Sequence, residues 1–291
     1  MAIRTPEQYL RSLRDGRVMY VDGKKVEDVT RHPALKPAIN LGVLLYHLYQ
    51  DPRFRPLLVT QTEEGEDAPF IFKRLRNAED LLRRREYILT LARICYGAGG
   101  GPCYVGPDAL NALTVISRRL DRELKVGYVE RVENYRKYLL KNDLALAGAI
   151  TDVKGDRSLR PIEQIPHKDF YVRVVDQKKD GIVVRGAKFH ISRTPICNEI
   201  FVSPTRAMRE EDKDYAVCFA VPVDAKGITL IFGRQTNDTR RLDGEIDPGN
   251  AKYGIVGGEA LIIFDNVFVP LDRVFMCGEY DFTGQLVETF A

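Results

Sequence analysis

The sequence predicts an α+β protein in which a helical domain precedes a domain made mostly of β-strands. Three observations carry this prediction. Apolar residues recur at helical spacing to about residue 146, short alternating strands follow between turn signals from residue 170 onward, and residues 281–291 begin another helix. We therefore expect a helical domain over residues 1–146, a middle β domain of barrel or sandwich type over 147–280, and at 281–291 the start of a C-terminal helical domain whose remainder is absent.

The first half supplies clear helix boundaries. Thr5 is a candidate N-cap, with Pro6 at the first helical position and Gln8 three residues after the cap. Asp22-Gly23 between two short apolar runs predicts a hairpin with a two-residue turn. Further helices are predicted over 40–49, 77–96, 108–124 and 129–140.

The second half alternates between apolar and polar residues in short runs, which is typical of half-buried strands. The turn at 178–181 (KKDG) separates two of these runs. Strands are predicted over 170–175, 182–189, 200–202, 215–221, 229–232, 260–265 and 267–270.

Composition indicates a soluble globular protein. The chain has 291 residues, of which 44% are hydrophobic and 29% charged, and the net charge is +3. This near balance argues against nucleic acid or an anionic membrane as the main partner. No apolar run approaches the roughly 20 residues that span a bilayer, and the first residues lack a secretory signal, so we expect a cytoplasmic protein. Five cysteines without repeated spacing argue against a disulfide framework.

Several motifs occur in a characteristic order. They are residues 151–157 (TDVKGDR), 180–188 (DGIVVRGAK), 212–217 (DKDYAV) and 259–270 (EALIIFDNVFVP). Together they closely resemble the 4-hydroxyphenylacetate 3-hydroxylase family of acyl-CoA dehydrogenase-like flavoproteins, and within it the branch of the 4-hydroxybutyryl-CoA dehydratases. The resemblance covers nearly the whole chain and implies an acyl-CoA dehydrogenase-like fold.

The resemblance implies FAD as the cofactor, held by two stretches of the chain. A flavin needs donors and acceptors around its ring to set its electronics. The alternatives are an ordinary glycine-containing turn for the first stretch and a strand-end histidine for the second. The residues implied to contact FAD are Thr151, Asp152, Lys154, Gly155, Asp156, Arg157 and Ser158 in the first stretch, and His190 and Ser192 in the second.

Glu259 is the candidate catalytic residue. It precedes a strongly apolar strand, and we expect desolvation there to raise the pKa of its carboxyl toward a range useful for acid–base catalysis. The resemblance implies that this side chain faces the substrate; the alternative is a surface glutamate at a strand end. Arg234, Arg240 and Arg241 are candidates for holding phosphates of a CoA ester or a dinucleotide, or else lie in a solvated loop.

The dehydratase branch carries a [4Fe–4S] cluster, whose thiolate ligands include a Cys-x3-Cys pair. By the resemblance, those two positions fall on Gly100 and Tyr104 in this chain, and Cys103 lies one residue out of register. We therefore do not expect the cluster to form.

Three functions remain open from the sequence. The first is a flavin-binding part or subunit of a dehydratase-like enzyme acting on an acyl-CoA or a small hydroxy acid. The second is the oxygenase component of a phenol hydroxylase that uses reduced FAD. The third is a non-catalytic accessory subunit. The resemblance further implies a homo- or hetero-oligomer, with the remaining helical domain lost by truncation or carried by a separate chain.

Overall fold

The first half of the protein is mostly helical. The structure, a computed structural model, describes residues 3–95, 105–233 and 258–290. Its helices are α1 (Pro6–Ser12), α2 (Lys36–Gln50), α3 (Arg55–Leu58), α4 (Ala78–Ile94), α5 (Val105–Leu124), α6 (Tyr128–Asn142) and α7 (Thr283–Phe290).

The predicted cap at Thr5 is present, and a second cap begins α4. The Thr5 hydroxyl accepts a hydrogen bond from the Gln8 amide, and the Gln8 side chain accepts one from the Thr5 amide, which completes a capping box. Asn77 caps α4 by accepting from the Asp80 amide. The helices predicted from Thr5 and over 77–96 are confirmed, whereas the helix predicted over 40–49 begins earlier, at Lys36. Among the described helices, none is long and apolar enough to cross a membrane.

The strands form two larger sheets and a small hairpin. One sheet has the order β2-β1-β10-β11-β7-β6, the second has the order β12-β9-β8-β5, and β3 pairs with β4. The strands are β1 (Met19–Val21), β2 (Lys24–Lys25), β3 (Val59–Gln61), β4 (Asp67–Pro69), β5 (Leu146–Ala149), β6 (Arg173–Lys178), β7 (Gly181–Ser192), β8 (Glu199–Val202), β9 (Val217–Pro222), β10 (Ile228–Phe232), β11 (Glu259–Pro270) and β12 (Val274–Cys277).

Two features of the sheets differ from the sequence prediction. The predicted hairpin, β1 with β2, joins the six-stranded sheet because β1 pairs in parallel with β10. The strands predicted over 260–265 and 267–270 are one continuous strand, β11, with a register shift between Phe264 and Val267. The mixed α+β class is confirmed, and the boundary at residues 146 and 147 stays a prediction.

The chain passes from helices to strands where β5 ends. β5 pairs in parallel with β8, and the residues after Ala149 then cross to the long strand β7. β7 is held on both sides, by β6 and by β11. The segment after β5 therefore lies against β7, whose backbone is hydrogen-bonded to β6 and to β11.

Candidate functional site

The two stretches that the sequence assigns to FAD lie side by side. The first, residues 151–158, follows β5, and the second is the end of β7. The Phe189 amide donates a hydrogen bond to the Thr151 carbonyl at 2.8 Å, and Asp152 pairs with Lys188 as an isolated antiparallel bridge. The fold therefore brings together two predicted stretches that are far apart along the chain.

Both stretches contain residues in the left-handed backbone region. Lys154 has φ 75°, Gly155 has φ 57° and His190 has φ 55°. A Cβ on Gly155 would lie 2.5 Å from Gln164 Oε1 and 2.5 Å from Phe170 Cδ2, so only glycine fits there. Residues other than glycine rarely adopt this conformation, and such positions cluster at functional sites. The same backbone conformation also occurs at Asp22, Lys125 and Asp143, so these values describe the two stretches without assigning them a function.

The turn at Asp156 is built from side-chain hydrogen bonds. Asp156 Oδ1 accepts from the Ser158 hydroxyl at 2.6 Å and from the Ser158 amide at 2.9 Å, and these bonds hold the pKa of the Asp156 carboxyl below its usual value. The Gln164 side chain donates to the Asp156 carbonyl at 2.6 Å. Arg157 lies between Asp156 and Ser158 in the chain and is exposed. The turn thus presents a cation to solvent on a fixed backbone.

The carboxylate of Asp152 points into the protein. It lies 2.6 Å from Lys188 Nζ, and both side chains are 2% exposed. Its second oxygen accepts from the Thr205 hydroxyl at 2.8 Å. Any contact from Asp152 to a cofactor would therefore come from its backbone, whereas Thr151 and Lys154, on either side, are partly exposed.

His190, Ser192 and Glu259 form a polar cluster on the surface of the six-stranded sheet. Glu259 pairs with Ser192 where β11 meets β7, and the Ser192 hydroxyl donates to Glu259 Oε1 at 3.0 Å. His190 Nδ1 lies 3.4 Å from Glu259 Oε2. The Phe189 and His190 rings are adjacent, with centroids 4.2 Å apart. The structure thus brings the predicted catalytic residue to both residues of the second stretch.

The expected desolvation of Glu259 is not found in this chain. Its side chain is 46% exposed, although the next residue, Ala260, is buried. Successive side chains of a strand point to opposite faces, so Ala260, Ile262 and Phe264 pack inward while Glu259 lies on the less buried face. The carboxylate of Glu259 therefore lies at the surface of the described structure, as the alternative of a surface glutamate at a strand end expects.

Lys188 is a further residue of the site that the sequence analysis left without a role. Ile182, Val184, Gly186 and Lys188 share one face of β7, and the two apolar members are buried. This alternation places the lysine inside the protein, where it requires an acidic partner. The period-two pattern could therefore have indicated a buried lysine that needs an acidic partner, but not that this partner is Asp152.

Some predicted positions lie outside the described residues. They are the phosphate-binding candidates Arg234, Arg240 and Arg241, and the cluster-loop positions Gly100, Cys103 and Tyr104. Cys95, at the end of α4, is described and is buried. Within 3–95, 105–233 and 258–290, no three His, Cys, Asp or Glu side chains are grouped as a metal site requires.

Comparison with known proteins identifies the family. Residues 5–276 match the family described as 4-hydroxyphenylacetate 3-hydroxylase N terminal. The chain belongs to this family. It is 41% identical to the 4-hydroxybutyryl-CoA dehydratase/vinylacetyl-CoA-Delta-isomerase of Clostridium aminobutyricum, over 99% of this chain and 59% of that protein. It is 31% identical to the oxygenase component of 4-hydroxyphenylacetate 3-monooxygenase from Thermus thermophilus, over 96% of this chain and 56% of that protein.

Solved structures of both kinds of family member share the fold. The oxygen-tolerant archaeal 4-hydroxybutyryl-CoA dehydratase from N. maritimus superimposes with a TM-score of 0.89 at 36% identity, covering 99% of this chain and 57% of that one. The oxygenase component of 4-hydroxyphenylacetate 3-monooxygenase complexed with FAD superimposes with a TM-score of 0.79 at 28% identity. These relatives are enzymes, and the chain spans somewhat more than half of their length.

Proposed function

We propose that this chain forms the flavin-contacting part of an FAD-dependent enzyme of the 4-hydroxybutyryl-CoA dehydratase kind, acting on an acyl-CoA or a small hydroxy acid. The observation that carries the proposal is the hydrogen bond from the Phe189 amide to the Thr151 carbonyl, which joins the two candidate flavin stretches beside Glu259. The 41% identity to the dehydratase favours this branch of the family.

The residues of both stretches fit a flavin nucleotide. Backbone amides and the Thr151 hydroxyl offer donors for the ring, while Lys154 and Arg157 offer positive charge for phosphates. Of the second stretch, His190 and Ser192 offer polar side chains at the exposed end of β7. Bound FAD would supply the capacity to accept electrons from the substrate.

Glu259 would take a proton from a substrate carbon. The Ser192 hydroxyl holds one carboxylate oxygen, and His190 Nδ1 lies near the other, so the carboxylate is oriented before substrate arrives. Because the side chain is half exposed, bound flavin and substrate would themselves exclude water from it. His190 would then pass the proton between Glu259 and solvent.

The proposal is tested by Glu259→Gln in the complete enzyme. Removing a general base lowers the turnover rate by about 10²–10⁴-fold, so we expect that loss on 4-hydroxybutyryl-CoA with FAD binding retained. Glu130→Gln is the control, because Glu130 is exposed in the first turn of α6, away from the site. Failure of the wild-type enzyme to quench FAD fluorescence on titration would overturn the flavin assignment. Unchanged turnover in Glu259→Gln would instead favour the accessory subunit.

A second candidate is the oxygenase component of a 4-hydroxyphenylacetate 3-hydroxylase-type monooxygenase. It is favoured by the structural likeness to such an oxygenase complexed with FAD. Oxygen consumption that requires both 4-hydroxyphenylacetate and reduced FAD would support it. Formation of an unsaturated acyl-CoA from 4-hydroxybutyryl-CoA without oxygen would support the dehydratase instead.

The working enzyme is proposed to be larger than this chain. The dehydratase relative extends well beyond the matched part, so we propose that the remaining length has a counterpart in the same polypeptide or in a second subunit. A homo- or hetero-oligomer in the cytoplasm is part of the same proposal. Size-exclusion chromatography with light scattering, with and without a co-expressed partner, tests the assembly.

A further inference from the structure

The Lys188 ammonium is fully engaged inside the β domain. Its side chain is 2% exposed, and Nζ lies 2.6 Å from Asp152 Oδ1. It also donates to the Ile150 carbonyl and to the Ser203 carbonyl, each at 2.8 Å. An ammonium has three donors, so every one of them has a partner.

The partners of Lys188 surround the start of the first flavin stretch. Ile150 and Asp152 flank Thr151 in the chain, while Ser203 follows β8. The Thr205 hydroxyl holds the second oxygen of Asp152 at 2.8 Å. The segment is therefore fixed from inside on both sides of Thr151, while the Thr151 carbonyl accepts from the Phe189 amide on the same strand as Lys188.

A requirement for stability alone does not account for this buried pair. Two charges removed from water lose hydration, and apolar residues of the same volume are often as stabilising or more so. An apolar side chain cannot, however, bind two carbonyls and a carboxylate in fixed directions. What the ion pair adds is a defined backbone path through residues 150–152.

We propose that Lys188 is a positioning residue for the flavin. Through its bonds to Ile150 and Asp152, it holds Thr151 and the turn that follows in the geometry that contacts the cofactor. This inference rests on the proposed FAD site, and it assigns to Lys188 no contact with the flavin itself.

The test compares Lys188→Met with a matched break in another buried ion pair. Arg273 Nη1 lies 2.5 Å from Glu199 Oε2, with side chains 17% and 2% exposed, and joins the turn between β11 and β12 to the start of β8, away from both flavin stretches in the chain. We expect both Lys188→Met and Arg273→Met to lower the melting temperature. Only Lys188→Met should weaken FAD binding, by about tenfold or more, and speed amide hydrogen exchange in peptides covering 150–158.

The double variant Asp152→Asn/Lys188→Met separates positioning from folding. It removes the uncompensated buried carboxylate, so the melting temperature should recover relative to Lys188→Met. FAD affinity and hydrogen exchange at 150–158 should not recover, because the bonds to the Ile150 and Ser203 carbonyls stay lost. The inference is overturned if FAD affinity and slow hydrogen exchange at 150–158 both recover in the double variant. It is also overturned if Arg273→Met loses as much FAD affinity as Lys188→Met. If the wild-type protein binds no FAD, the proposed function fails and Lys188 positions no cofactor, while faster hydrogen exchange at 150–158 in Lys188→Met would still show that Lys188 holds this segment.

Discussion

At the scale of single residues, Asp143 shows how burial can make stability depend on pH. This residue ends α6 in a left-handed conformation, and its carboxylate accepts from the Arg4 amide at 3.0 Å. Burial raises the pKa of the Asp143 carboxyl to about 7. The hydrogen bond from the Arg4 amide and the positive charge of Arg4 oppose this shift. The Arg4 guanidinium itself donates to Ser12 and Asn198. The folded chain thus retains a proton that the unfolded chain releases near its ordinary pKa of 3.8. The contribution of this carboxyl to the free energy of unfolding is therefore fully present below about pH 4 and is lost as the pH rises to about 7.

We predict that Asp143→Asn flattens this dependence. Asparagine keeps an acceptor for the Arg4 amide and tolerates the left-handed conformation, yet has no charge to desolvate. At pH 8 the variant should exceed the wild type by about 2–4 kcal/mol in free energy of unfolding, and at pH 4 the two should be close. Urea unfolding at both values measures this. Asp22→Asn is the control, since Asp22 is left-handed in an exposed turn, and a similar gain there would contradict the explanation.

The side chains of the site show which residue-level features a sequence can reveal. The family resemblance implied that two stretches hold FAD and that Glu259 faces the substrate, and the fold brings Thr151, His190 and Glu259 into neighbouring segments. The expected desolvation of Glu259 was wrong, because a run of apolar residues does not show which face of the strand the preceding carboxylate occupies. Lys188 was left without a role because its partner, Asp152, lies far from it in sequence.

At the scale of elements, local signals predicted helices better than strands. The capped helices α1 and α4 begin where their caps indicate, since a cap acts within four residues. β5 was missed because its sequence, LAGA, lacks β-branched residues and becomes a strand only through pairing with β8. Asp265-Asn266 suggested a break between strands, whereas Asn266, at φ 52°, forms a bulge within β11.

Gly186 allows β7 to pass close to the chain before β6, and this leads to a prediction. Its φ is 134°, and a Cβ there would lie 2.3 Å from the Tyr171 carbonyl oxygen and 2.6 Å from Val172 Cα. Because both neighbours are backbone atoms, Gly186→Ala should lower the free energy of unfolding by roughly 2–4 kcal/mol. Gly16→Ala, with nothing within 4 Å of its Cβ position, should be nearly neutral. Chemical denaturation of both variants checks this, and equal effects would rule out the steric explanation.

At the scale of the whole molecule, the helical and β halves share one hydrophobic core. A single cluster of buried residues extends from Tyr9 in α1 to Leu286 in α7 and includes members of both larger sheets. The Tyr9 hydroxyl donates to the Ile196 carbonyl at 2.7 Å, so the first helix is fastened directly to the β half. Sequence patterns divide the chain at the change in periodicity, but they do not report contacts across that division.

Arg17 tests whether this shared core makes the two halves unfold together. Its guanidinium is buried and donates to the carbonyls of Pro195 and Cys197 at 2.8 and 3.0 Å, and pairs with Asp15. Arg17→Met leaves those carbonyls unsatisfied and should lower the free energy of unfolding by about 2–3 kcal/mol. Because the core is continuous, hydrogen exchange through global opening should quicken by the same factor in peptides from α2 and from β9. Arg14 is half exposed and lies three residues earlier, so Arg14→Met should leave the free energy of unfolding and the exchange in both peptides unchanged. Faster exchange in only one of the two peptides would show that the halves are separate folding units.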